Sequence, residues 1–374
     1  MNDTQLTTKD LTGRARSHHG GSQRMATIFL TAACNLKCPY CYATENEFAP
    51  TDRWTEQRIQ MVLDLLGKKG FRLAIGGGEP LTEPELTFMI GRNAALAGVP
   101  VSLLTNGYLL TEQILQELLA AGFGWIQISA DSYKELRLLE PMLRKGAEIG
   151  LRMAIGTVLL PRRIGEISKM RQLMDDCGVV GWRILRYTPL NDNPYVEKAP
   201  GNQQWIELLL ELERQIRAVD TRVQIRYEPS IVPLAWWNSL PAPERLDICG
   251  GRNARRVFLY PDGEAFSCGL PRRKGISLGG FEPDPEHFAH ILDQVPEENC
   301  QLPDLSFLTN AYCRDHCKGG CLQMRNGRSC DPRCEIDRGL VPACCFEKLL
   351  LAPGSHTDGK IIYPSEVFGS WLTS

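Results

Sequence analysis

The sequence predicts an α/β protein built on a parallel sheet, followed by a small cysteine-rich module. Three observations predict it. Six short apolar runs between residues 25 and 187 are each separated from the next by a helix-period segment. Glycines and capping residues punctuate the changes of period. Ten of the 14 cysteines fall between Cys249 and Cys345, where helical periodicity fades and Pro and Gly rise.

The elements follow in order. "MATIFLT" (25–31) reads as a buried strand, and "WTEQRIQMVLDLLGKKG" (54–70) as a helix ending in glycine. "RLAIG" (72–76) is a strand, "EPELTFMIGRNAALAG" (83–98) a helix and "VSLLT" (101–105) a strand. "TEQILQELLAAG" (111–122) is a helix with Thr111 as N-cap, and "WIQISA" (125–130) a strand. The helix over 134–150 contains Pro141, which is expected to kink or split it. A strand (152–160), a helix (164–178) and a strand (181–187) complete six βα units, and a further helix (203–219) and strand (222–227) follow. This rhythm suits a barrel and an open doubly wound sheet equally. In either, ligands gather at the carboxyl ends of the strands.

The expected organisation is a polar, flexible segment over 1–24, the α/β body over 25–230, the cysteine-rich domain over 231–345 and a tail over 346–374 whose apolar residues pack on the body. With 42 basic and 44 acidic residues the net charge is −2, so there is no electrostatic case for nucleic acid. No apolar run reaches the roughly 18 residues of a membrane span, and the start lacks the apolar core of a signal peptide. A cytoplasmic protein is expected. There, disulfides are disfavoured and clustered cysteines point to metal. The isolated Cys177 reads as a core or surface thiol.

The segment "ACNLKCPYCYA" puts Cys34, Cys38 and Cys41 at the carboxyl end of the first strand. A structural zinc wants four ligands. Three thiolates with no nearby fourth suit a four-iron cubane in which one iron lacks a protein ligand. A zinc knuckle is the plainer alternative.

Cys34-x3-Cys38-x2-Cys41, with Tyr40 before the last cysteine, resembles the signature loop of the radical S-adenosylmethionine (SAM) enzymes. "GGEP" at Gly77, Gly78, Glu79 and Pro80 matches that family's segment after the second strand, where glycines permit close backbone approach to SAM. "LLTNG", with Thr105 and Asn106, and "QISADS", with Ser129 and Asp131, end the third and fourth strands at positions that resemble SAM contacts. Asp131 or Ser132 can also cap the next helix. The resemblance implies a partial (β/α)6 barrel with SAM across the strand ends. It implies a [4Fe-4S] cluster whose open iron chelates SAM and whose electron releases a 5′-deoxyadenosyl radical. It identifies Tyr40, Gly77, Gly78, Glu79, Asn106 and Ser129 as cofactor-binding.

The second cysteine field is similar to the SPASM extension of peptide-modifying members. "VFLYPDGEAFSC" reads as a β-hairpin leading to Cys268, and "CKGGC" (317–321) matches the extension's C-x-G-G-C. The order departs from that pattern, with one early cysteine either missing or displaced to Cys300. Expected ligands are Cys249, Cys268 and Cys321 for one auxiliary [4Fe-4S] cluster. Cys313, Cys317, Cys334 and one of Cys344 and Cys345 are expected for a second, with zinc sites as the alternative. Gly269 stands where sulfatase-maturing relatives carry an acidic residue.

The resemblance implies an oxidoreductase acting on a ribosomally made precursor peptide by cross-linking, epimerisation, oxidation or excision. A small-molecule enzyme, such as one of haem synthesis, and a non-enzymatic metal-bound scaffold are the alternatives. A flavodoxin or ferredoxin-type reductant is expected. Residues 1–24 are too few and too polar to bury a core, since even ~60-residue domains are marginal. A leader would then dock on the barrel or auxiliary module itself or on a separate partner protein, and the separate leader-binding partner is the favoured expectation.

Overall fold

The computed structural model describes residues 24–41, 43, 52–187, 198–239, 256–269, 277–281, 284–293, 334–343, 349–352 and 361–372. Strands β1 (Met25–Phe29), β2 (Arg72–Gly76), β3 (Val101–Thr105), β4 (Trp125–Ser129), β5 (Met153–Leu159) and β6 (Gly181–Arg186) alternate with helices. These are α1 (Glu56–Lys68), α2 (Pro84–Leu96), α3 (Glu112–Ala120), α4 (Tyr133–Glu148) and α5 (Ile167–Asp176). Helix α6 (Asn202–Arg217) and strand β7 (Gln224–Tyr227) add a seventh step. Strands β1 to β7 are parallel neighbours in chain order, which is the partial barrel the sequence implied.

Local chemistry sets the helix starts. Thr55, Thr111 and Ser132 each accept a hydrogen bond from the backbone N–H three residues on, at Arg58, Ile114 and Glu135. The cap of α4 is thus Ser132, and Asp131 is left for other work. Pro141 neither splits nor ends α4, which runs unbroken through it. It stands exposed, so water can replace the lost hydrogen bond, while Leu136, Leu139, Leu143 and Gly146 hold the opposite face in the core.

Alternation along each strand divides the sheet into two faces. Ile28, Ile75, Leu103, Ile126, Ile155 and Ile184 pack outward on the helices in one continuous core. Each such buried side chain contributes about 1.5–3 kcal/mol relative to exposure. The concave face carries Phe29, Gly76, Ser102 and Leu104 on β1–β3, and Gln127, Ser129, Arg183 and Arg226 on β4–β7.

The described residues beyond 230 are built into the same scaffold. Strand β8 (Ser230–Pro233) leads into a short helix, α7 (Leu234–Ser239). Strands β9 (Arg256–Leu259) and β10 (Glu264–Phe266) form the expected hairpin, turned through Gly263 at φ +87°. Strand β9 runs parallel to β1, and β11 (Ser277–Gly280) pairs with β10. Tyr260 stacks on Phe29 at 4.6 Å. Helix α8 (Pro285–Asp293) is tied to the barrel by an ion pair of Asp293 with Lys69 at 2.5 Å. At the far side β12 (Leu340–Ala343) pairs with β8, and β13 (Leu349–Ala352) with β7. The sheet therefore runs β11-β10-β9-β1 through β7-β13, open between its two ends. Helix α9 (Pro364–Leu372) buries Val367 and Phe368 and donates from the Ser365 N–H and hydroxyl to Glu213 of α6, at 2.8 and 2.7 Å. Through these contacts the described part of the tail packs on the body.

Candidate functional site

The loop after β1 places three thiols at the mouth of the barrel, with Cys34 exposed and Cys38 and Cys41 half-buried, none in a disulfide. A turn from Cys41 N–H to the Cys38 carbonyl (3.1 Å) holds the second and third together. The Leu36 N–H donates to Cys34 Sγ at 3.4 Å. Partial burial, then the proximity of Cys41 and Cys34, pushes the Cys38 thiol up to about 11. Three sulfur ligands crowded together in a half-dry loop are the donor set that iron–sulfur chemistry requires, and a cation there would relieve the crowding. Among the described residues no three His, Cys, Asp or Glu side chains are set to grip one metal ion. A cubane does not ask for that, since each thiolate takes a different iron.

The "GGE" turn after β2 packs directly on this loop. The Gly78 N–H donates to the Thr31 carbonyl at 2.7 Å, and Glu79 N–H to that of Ala33 at 2.8 Å. A Cβ on Gly78 would lie 2.1 Å from the Ala33 carbonyl oxygen, and one on Gly77 2.7 Å from that of Thr31. Gly77 also sits at φ +124°. Both glycines are demanded by the backbone of the cysteine loop itself.

Glu79 is buried, 1 % exposed. Its Oε1 accepts from the Thr105 hydroxyl (2.7 Å) and Leu81 N–H (3.0 Å), and its Oε2 from Asn106 N–H (2.7 Å). Burial raises its pKa from the ordinary carboxylate value, against those three donors. Glu79 thus braces the ends of β2 and β3. Asn106 carries the brace onward, donating from Nδ2 to Asn35 Oδ1 at 2.7 Å and lying 3.9 Å from Cys34 Sγ.

Tyr40 reaches across to the fourth strand. Its hydroxyl donates to Asp131 Oδ2, while Asp131 Oδ1 accepts from Val158 N–H at 2.7 Å. Burial raises the Asp131 pKa, and burial followed by the charge of Asp131 raises that of Tyr40. Ser129, exposed at the end of β4, stands one turn of chain before this link. The structure thus gathers Cys34, Cys38, Cys41, Tyr40, Gly77, Gly78, Glu79, Asn106 and Ser129 around the ends of β1–β4. Two members escaped the sequence reading. Asn35 left no signal. Glu135, which accepts from Asp131 N–H at 2.7 Å and lies within electrostatic range of Cys38, was visible as the last residue of the capping pattern "SYKE".

Of the second cysteine field, Cys249, Cys313, Cys317, Cys321 and Cys345 lie outside the described residues, as do Cys300, Cys330, Cys344 and residues 1–23. Cys268 follows β10, on the β1 side of the sheet, and is half-buried. Gly269 leaves no room for a side chain, since a Cβ there would meet the Phe258 ring at 2.3 Å. Cys334 lies on the other side, next to Glu335, which accepts from Asn202 Nδ2 of α6 at 2.7 Å. Cys177 is buried in the core. Among the described residues no helix is long and apolar enough to cross a membrane.

Comparison with known proteins agrees with this geometry. The Radical SAM superfamily model matches residues 28–155. Mycofactocin maturase MftC of Mycolicibacterium smegmatis is 31 % identical over 368 residues, covering 88 % of this chain and 87 % of that protein. The AdoMet-dependent heme synthase of Methanosarcina barkeri is 32 % identical over 180 residues, spanning 44 % of this chain and only 51 % of the relative. The fold is similar to that of Streptococcus suis SuiB bound to precursor peptide SuiA, with a TM-score of 0.63, 15 % identity and coverage of 84 % of this chain and 76 % of that one. With a signature loop, its glycine partner turn and an end-to-end relative in agreement, the chain belongs to the radical SAM superfamily.

Proposed function

We propose that this enzyme matures a ribosomally made peptide. The observation that carries the reading is the match to MftC, named a maturase, which runs through the barrel and the cysteine-rich region alike. The haem-synthase match stops at less than half of the chain. Superfamily membership implies a [4Fe-4S] cluster and SAM, which together supply a carbon-centred radical for hydrogen abstraction.

In this reading Cys34, Cys38 and Cys41 would hold the cluster through their thiolates. Gly77 and Gly78 bring the β2 turn onto the loop, and Glu79 locks that turn to Thr105 and Asn106. Asn106 orients the first cysteine through Asn35. Tyr40 and Asp131 fasten the far side of the loop to β4 and β5, and Ser129 offers its hydroxyl on the concave face. Cys268 and Cys334 sit on opposite sides of the sheet, which supports two separate auxiliary [4Fe-4S] sites. The partner ligands are those expected from sequence: Cys249 and Cys321 for one, and Cys313, Cys317 and one of Cys344 and Cys345 for the other. A flavodoxin or ferredoxin-type reductant and a separate leader-binding protein complete the proposed cytoplasmic system.

The test is anaerobic incubation of the reconstituted enzyme with SAM, dithionite and candidate precursor peptides encoded nearby. A peptide mass change together with 5′-deoxyadenosine is expected. 5′-Deoxyadenosine with every such peptide unchanged would refute the substrate assignment. Iron content no greater than one cluster per chain, with zinc in the remaining sites, would remove the auxiliary clusters.

A further inference from the structure

The hydrogen bonds behind the cysteine loop lead to two carboxylates. Tyr40, between Cys38 and Cys41, donates its hydroxyl to Asp131 Oδ2. Asp131 Oδ1 accepts from the Val158 N–H at 2.7 Å, and the Asp131 N–H donates to Glu135 Oε2 at 2.7 Å. Glu135 stands three residues after Ser132, the N-cap of α4, which is the capping-box position. A capping-box glutamate closes on the N–H of the cap residue itself. Glu135 reaches one residue further back, past Ser132, so its carboxylate sits beside Asp131. Both acids are half-buried, and both lie within electrostatic range of Cys38 and of Tyr40. The Tyr108 side chain, in the turn after β3, lies within range of Glu135 and Cys38 alike.

Capping does not account for the charge. A glutamine closes a capping box as a glutamate does, and the Asp131 N–H asks only for an oxygen. A third carboxylate at this helix start, Glu166, accepts from the Tyr133 N–H at 2.7 Å and carries a counterion, Arg163, at 2.8 Å. Arg163 is within electrostatic range of Asp131 and Glu135 too, but its ion pair is with Glu166. The potential of an iron–sulfur cluster depends on the charges and hydrogen bonds around it. A fixed negative charge nearby disfavours the added electron. It lowers the potential, and the electron, once present, is the stronger reductant.

We propose that Asp131 and Glu135 hold down the reduction potential of the cluster at Cys34, Cys38 and Cys41. This rests on the assignment of those three thiols to the [4Fe-4S] cluster that superfamily membership implies. The two acids are positioning residues, acting on the cluster through their charge, with Asp131 also fixing Tyr40. Removing one carboxylate shifts the potential upward whatever the total charge of the mouth.

The test is a redox titration of the full chain with its clusters, without SAM, followed by electron paramagnetic resonance. The signal of this cluster is the one that Cys38→Ala removes. Glu135→Gln keeps an acceptor for the Asp131 N–H and loses the charge. At a fixed potential its ratio of reduced to oxidised cluster should rise about threefold, which is about 28 mV for one electron. Asp131→Asn combined with Glu135→Gln should raise it about tenfold, or about 59 mV. Glu135→Asp keeps the charge and should titrate close to the unsubstituted protein. A second measurement needs no cluster. In the folded, cluster-free Glu135→Gln protein at pH 8, iodoacetamide should alkylate Cys38 about threefold faster, because its thiolate is less disfavoured, with no difference in urea. An unchanged redox ratio in Glu135→Gln, with the signal absent from Cys38→Ala, overturns the proposal and leaves the ligand assignment standing. An equal rise in Glu135→Asp and Glu135→Gln assigns the effect to loop geometry and overturns it too. A signal that survives Cys38→Ala refutes the ligand assignment and the proposal with it. If Glu135→Gln fails to load iron, the alkylation rates decide, and equal rates in the folded proteins overturn the proposal.

Discussion

The two halves of the barrel mouth are built on different principles. Around β1–β3 the parts interlock through backbone: Gly77 and Gly78 pressed on the cysteine loop, and a buried Glu79 taking three donors. Around β5–β7 the concave face offers side chains that are half open to solvent, Arg183 and Glu228 foremost. Backbone interlocking tolerates almost no substitution, because neither a carbonyl nor a turn can be moved cheaply. Side-chain presentation can change one residue at a time without touching the scaffold. The difference teaches that the half around the cysteine loop is rigid by construction, while the other half can vary one side chain at a time.

Substitutions can break or sharpen that contrast. Glu79→Ala leaves the Thr105 hydroxyl and two backbone N–H groups without their acceptor. A loss of about 4 kcal/mol is expected, read by urea denaturation of the cluster-free protein. A loss below about 1 kcal/mol would mean that water replaces the carboxylate and that the brace is dispensable. Gly78→Ala forces a Cβ into the Ala33 carbonyl. A cost of about 3 kcal/mol and failure to load the first cluster, seen as lost iron absorbance, are expected. Serine at the same position should do no better.

The cysteine loop can also be probed chemically. In the cluster-free folded protein burial, then the neighbouring Cys41 and Cys34, push Cys38 up to about 11, so the neutral thiol dominates below that range. Iodoacetamide attacks the thiolate, so at pH 8 Cys38 should react about a hundredfold more slowly folded than in urea. The gap should close as pH rises toward 11. Equal rates folded and unfolded would show that the loop does not hold Cys38 as described. Asp131→Asn keeps an acceptor for Val158 N–H but weakens the Tyr40 contact. About 1 kcal/mol of stability should go, with the cluster's electron paramagnetic resonance signal broadened rather than lost. Smallest of all, Arg183→Gln should change stability by less than about 1 kcal/mol, as half-exposed ion pairs do. A large loss there would show that the β5–β7 half is as structural as the other.

Much of this was legible in the chain alone. Period-2 and period-3.6 patterning placed β1 to β6 and their helices, since local apolar spacing reports which face each element buries. Three thiols in one loop with no fourth pointed to iron with an open corner, and the glycines of "GGEP" to a close backbone approach, which the structure makes against the cysteine loop. Ser132 and the exposed Pro141 were decided by tertiary packing. The cap goes to whichever oxygen the chain leaves free, and here Asp131 was taken by Tyr40 and Val158. Proline is tolerated where solvent covers the broken bond. The joining of β9 to β1, the row from Ser129 to Arg226 and the reach of Glu79 to Thr105 and Asn106 were all invisible in sequence. Each depends on strand register and on contacts between residues far apart in the chain, and register is set by how whole strands align once the sheet has formed.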